Sequence, residues 1–141
     1  MKPDKTAARQ KRAIDRLIKN GVHVDEISHN HWRIDLEHEF ATYSVTIKRS
    51  GMWLSYAAEL MPDVEGGKSG VFYQFLLDLN SKLNGAYIAR QEKRLILVRN
   101  EFAEDINGES LLRDLAVFHR THEYLYDTVL KKAQELNLAL L

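Results

Sequence analysis

The residues of this chain whose types and spacing allow chemistry are histidines and one Gly-rich loop. His119 and His122 stand three apart, which puts both imidazoles on one face of a helix and within reach of one metal ion. A closed structural site needs four ligands. Cysteine is absent, so the third and fourth would come from Glu37, His38 and Glu39 if the fold brings them near. His29 and His31 fall in an expected turn. The simpler reading is that His122 is a hydrogen-bonded core residue and the other histidines are exposed. A histidine at a subunit interface would instead make assembly pH-sensitive. No metal ligand is assigned from these residues.

Glu65-Gly66-Gly67-Lys68-Ser69 has the look of a phosphate loop, in which backbone N–H groups at a helix start attract anions. The full motif requires glycine where Pro62 stands, and the preceding strand alternates where a buried one is needed. The segment is therefore read as a flexible loop, with Ser69 as the cap of the following helix. The carboxylate pairs Asp35/Glu37 and Glu104/Asp105 lack the apolar setting that acid–base tuning requires, and read as solvated surface. The sequence thus offers no catalytic residue and calls for no cofactor, and a non-enzymatic protein is expected. The alternative is a small-molecule or metal-binding domain, or an enzyme, with a pocket beneath the strands at His119, His122 and Tyr126.

Composition narrows the classes further. A chain of 141 residues suits one domain, residues 1–141, large enough to fold without staples. Twenty basic residues balance twenty acidic ones, whereas a nucleic-acid binder usually carries a basic excess. Lys2, Lys5, Arg9, Lys11, Arg12, Arg16 and Lys19 make a local basic face, without the aromatics that stack bases. Nucleic acid is therefore not an expected partner. No apolar run approaches the length of a membrane span, and the basic start lacks the apolar core of a signal peptide. With no cysteine, these features fit a cytoplasmic protein.

The positioning elements follow from periodicity. Residues 4–19 read as a helix with the stripe Ala13, Ile14, Leu17 and Ile18, capped by Asp4 or Thr6 and closed by Asn20-Gly21. Four strands follow, beginning near Val22. Trp32/Ile34/Leu36, Tyr43/Val45/Ile47 and Met52/Leu54/Tyr56/Ala58/Leu60 each line one face. Alternation places Trp53, Ala57 and Met61 on the opposite face, where an exposed aromatic marks an interaction patch. A helix from about Val71 to Leu83 carries Phe72, Phe75, Leu76, Leu79 and Leu83 on one side, with Tyr73 and Leu77 off that stripe. Asn84-Gly85 ends it. Strands 86–90 and 94–99 follow, then a long helix capped by Asp105 or Asn107 and running to about Leu136, with the stripe Leu111, Leu115, Phe118, His122, Leu125 and Val129. The fold class is α+β, an antiparallel sheet of about five to six strands with three helices, in the order α-ββββ-α-ββ-α.

That order resembles the type III secretion chaperone-like fold, and within it the YbjN-like bacterial proteins. The residues carrying the likeness are Leu76, Leu79, Asn80, Leu83, Asn84, Gly85, Ala86, Ile88, Leu95, Leu97, Leu111, Leu112 and Leu115. The resemblance implies a small cytosolic homodimer without catalytic residues, holding an extended client segment on apolar sheet surface. It implies that residues 71–83 and a neighbouring strand form the dimer surface. Together these readings give a chaperone- or adaptor-like protein-binding module whose partner or dimer surface is Trp53, Met61, Phe72, Tyr73 and Leu77. The chain departs from the secretion chaperones in its zero net charge and in the apolar ending Leu136-x-Leu138-x-Leu140-Leu141.

Overall fold

Alternating strands and striped helices assemble into one sheet with helices over one face. The computed structural model describes residues 5–19, 21–102 and 107–141, with side chains from residue 11 onward except that of Leu17. The roles expected of Asp4, Asn20, Glu104 and Asp105 lie outside the described residues, and those of Thr6 and Leu17 rest on side chains that are not described. In chain order the elements are α1 (Lys5–Lys19), β1 (Val24–Ser28), β2 (His31–Glu37), β3 (Thr42–Ser50), β4 (Trp53–Pro62), β5 (Val64–Glu65), α2 (Ser69–Asn80), β6 (Ala86–Gln91), β7 (Arg94–Phe102), α3 (Gly108–Glu135) and β8 (Ala139–Leu140). Six strands form one antiparallel sheet in the order β1-β2-β3-β4-β7-β6. No helix among the described residues is long and apolar enough to cross a membrane.

The period-2 pattern decides which face is covered. Trp32, Ile34, Tyr43, Val45, Ile47, Leu54, Tyr56, Ala58, Leu95 and Leu97 are buried under the helices. The α3 stripe Leu111, Leu115, Phe118, His122, Leu125, Val129 and Ala133 packs down onto them. Phe72, Leu76 and Leu79 bring α2 into the same core, and Ala13 and Ile14 bring in α1. Asn107 caps α3: its side chain accepts from the N–H groups of Glu109 and Ser110, and Ser110 Oγ accepts from the Asn107 N–H.

Several boundaries differ from the sequence reading. Ser69 lies inside α2 and does not cap it; Lys68 holds the cap position without a side-chain bond. The helix ends at Asn80, where the last turn tightens through Lys82 N–H donating to Leu79 O. Gly85, at φ +75°, then turns the chain into β6. A bulge in β4 between Glu59 and Met61 leaves Leu60 without a partner on β7. An extra residue turns two consecutive side chains to one side, so Leu60 and Met61 are both buried and Met61 is not on the outer face. The apolar ending is also absorbed. The chain reverses at Asn137, β8 pairs with β5, and Leu141 N–H donates to Asp63 O at 2.8 Å.

Candidate functional site

Two regions of the molecule carry the features the sequence points to. The first is the uncovered face of β4, β7 and β6. Trp53 pairs with Phe102 across the β4–β7 ladder, and their rings stack with centroids 4.5 Å apart. They are 46% and 47% exposed. Along the same face the pairs Ala57/Val98 and Ala89/Ile96 follow, with Tyr87 beside Val98. Ser55 Oγ donates to Asn100 Oδ1 at 2.6 Å, and Asn100 Nδ2 donates to the Tyr87 hydroxyl at 3.3 Å, so the polar groups here are engaged with one another.

Of the five residues expected on the partner surface, Trp53 is exposed and so is Leu77, at 63%. Phe72 is fully buried and Met61 nearly so, which removes both from any surface. Phe72 lies on the α2 stripe that enters the core, and Met61 is turned inward by the bulge. Tyr73 is half-buried, and its hydroxyl donates to Asp63 Oδ1 at 2.6 Å. Burial and this bond to a carboxylate raise the Tyr73 hydroxyl above its ordinary pKa. Asp63 is fully buried, accepts the Val64 N–H as well, and pairs with the Arg90 guanidinium. Tyr73 is thus part of a clasp joining α2, β6 and the chain end. Leu77 lies on α2, whose Phe72, Leu76 and Leu79 enter the helix-covered core, whereas Trp53 lies on the uncovered sheet face.

The second region is a histidine cluster at the end of the β3–β4 seam. The fold brings His38 to His122, with His38 Nε2 2.8 Å from His122 Nδ1. His122 Nε2 lies 2.8 Å from the Glu59 carbonyl oxygen. A carbonyl only accepts, so His122 carries its proton on Nε2 and accepts at Nδ1 from His38 Nε2–H. His38 Nδ1 in turn accepts the Phe40 N–H at 3.1 Å. Every ring position is committed with both imidazoles neutral. Burial pushes His122 down to about 4, and burial likewise lowers His38 against the opposing charge of Glu123. Tyr43 stacks on His122, with centroids 3.7 Å apart, and its hydroxyl bonds His119 Nδ1 at 2.7 Å. Among the described residues no group of three or more His, Asp or Glu side chains is placed to hold a metal ion.

A cavity of about 710 Å³ opens beside this cluster, lined by residues that include Tyr43, Ser44, Ala57, Glu59, His122 and Tyr126. Sequence reasoning found His119, His122 and Tyr126, and held His38 ready if the fold brought it near. It missed Phe102 and Tyr87 as companions of Trp53. Extending the β7 alternation from Val98 through Asn100 would have reached Phe102.

A third cluster lies between β7 and α3. Arg99 pairs with Glu101 at 2.7 Å and with Asp114 at 3.4 Å. Burial, with Asp114 close by, pushes the Glu101 carboxyl up to about 7.

No protein-family model and no curated protein matches this chain. Solved structures do. The HopA1–SchA chaperone–effector complex matches with a TM-score of 0.62 at 13% identity, covering 89% of this chain and 99% of the matched chain. The heterodimeric ExoU–SpcU complex from the type III secretion system of Pseudomonas aeruginosa matches with a TM-score of 0.56 at 19% identity, over 80% and 93% of the two chains. E. coli YbjN, described as a candidate transcription regulator, matches with a TM-score of 0.55 at 17% identity, over 91% and 92%. The chain has the type III secretion chaperone-like fold, shared with YbjN.

Proposed function

We propose that this chain is a non-enzymatic, chaperone- or adaptor-like protein-binding module, which works as a homodimer and holds a segment of a protein partner on its uncovered sheet face. The observation that carries this reading is the Trp53–Phe102 stack, half exposed at the head of an apolar strip running through Ala57, Val98, Ile96 and Ala89. Aromatic pairs in such settings are where binding energy concentrates. The fold supports it, since the solved neighbours include a chaperone–effector complex and a heterodimeric complex of a type III secretion system. Self-association is assigned to α2 through its exposed Leu77.

The test is affinity purification of the tagged protein from its native cells at moderate salt, read by mass spectrometry. One dominant protein partner, lost in Trp53→Ser, is the expected result. A partner retained in full by that variant would move the surface elsewhere, and no partner beyond the protein itself would sink the reading. Light scattering checks the dimer: Leu77→Glu is expected to halve the mass, and an unchanged dimeric mass would remove α2 from the interface.

A further inference from the structure

The β3–β4 seam is open at one end while the ladders on either side of it run on. β2 and β3 stay paired down to Glu37 and Thr42, and β4 and β7 stay paired to Pro62 and Arg94. Between them, β3–β4 pairing stops at Val45 and Ala58. Residues 42–44, and 59–61 apart from the bulged Leu60, are thus paired with a strand on their far side and with none on the side facing each other. One side chain takes the place of a ladder bond where the seam parts: His122 Nε2–H donates to the Glu59 carbonyl, so that acceptor is already engaged and the remaining edge groups of 42–44 and 59–61 face the opening. The space so left is the cavity of about 710 Å³, with Ser44 and Ala57 at its outer wall and Tyr126 and Leu130 at its floor.

We propose that this opening receives a short extended polypeptide segment of the partner, with its main chain facing both freed strand edges and one apolar side chain seated on Tyr126 and Leu130. The proposal rests on the protein-binding reading above and names what the partner presents. The chemistry of the walls selects the occupant. A strand edge offers N–H and C=O groups in alternation, and an extended backbone is the group that answers such an edge on both of its sides. The opening is continuous with the apolar strip, since Ala57 and Ile96 line both. A partner strand lying along β4 from Trp53 therefore runs into the seam.

The experiment pans a displayed library of random dodecapeptides against the full chain and follows the selected peptides by titration and by amide NMR. Two variants fill the opening from its outer wall, Ala57→Phe and Ser44→Tyr, each checked for wild-type circular dichroism and melting temperature. Ser44 is exposed, so Ser44→Tyr carries the test if Ala57→Phe fails to fold. The expected result is binding weakened at least about tenfold by either filling variant, largely retained in Trp53→Ser, with amide shifts at residues 42–44 and 59–61. Peptides that ignore the filling variants overturn the inference. If those peptides fail on Trp53→Ser, the proposed function stands without the seam. A library that yields no binder also overturns the inference, and the affinity purification then decides the broader reading separately.

Discussion

Taking the protein from pH 7 to pH 5 is expected to cost about 2 kcal/mol of stability at His122 alone. The imidazole is 1% exposed, and burial holds its pKa at about 4, against the 6.5 of an unfolded histidine. The folded pKa is the lower one, so the unfolded chain takes up a proton that the folded chain refuses throughout the window between 6.5 and 4. His122 therefore favours folding fully above that window, and its contribution falls by about 1.4 kcal/mol per pH unit inside it. By pH 5 the sum is about 2 kcal/mol. The hydrogen bonds give the same sign. Protonating His122 at Nδ1 sets it against His38 Nε2–H, and moving that proton to His38 Nδ1 sets it against the Phe40 N–H. His38, lowered by its own burial, acts in the same direction. Glu101 acts in the opposite direction, because its folded pKa is the raised one. The net acid curve of the wild type mixes these groups, so the assay compares it with His122→Gln, which still offers an N–H to the Glu59 carbonyl and does not titrate. Urea unfolding at pH 7, 6 and 5 should show the variant less stable at pH 7, since it loses the ring stacked on Tyr43. The gap should then narrow by about 2 kcal/mol at pH 5. A gap constant to within about 0.5 kcal/mol would refute the neutral-histidine chain.

Asn80 Oδ1 accepts the Ile88 N–H and its Nδ2 donates to the Ile88 carbonyl, so one side chain imitates a neighbouring strand at the free edge of β6. Asn80→Ala should cost about 1–3 kcal/mol in urea unfolding and speed hydrogen exchange at the Ile88 amide. Phe72→Ala should cost about 3–5 kcal/mol, as a core truncation does, while Leu77→Ala should stay within about 0.5 kcal/mol in monomeric protein. Equal costs would contradict their opposite burial. Glu101 prefers its proton in the folded state, so its contribution is present below about 4.5 and is lost as pH rises through about 7. Glu101→Gln keeps a neutral group there at every pH, and its melting temperature relative to wild type should rise from pH 5 to pH 8.

What the sequence determined by itself is whatever depends on neighbours along the chain. The α3 stripe from Leu111 to Val129, the alternation in β2, β3 and β4 and the outward placement of Trp53 all follow from periods of 3.6 and 2. So did the fold class, because the order of those periods restricts how layers assemble. Tertiary structure alone decided the rest. The bulge that buries Met61 is a property of β4 against β7, residues that meet only after folding. Phe102 reaches Trp53 across a ladder, His38 bonds His122 from 84 residues away, and the Glu59 carbonyl accepts from a ring 63 residues on. The two-residue strands β5 and β8 are too short for any period to register. Each of these features is a contact between segments whose local sequence is equally content elsewhere, so it exists only once the sheet has set which strands lie side by side.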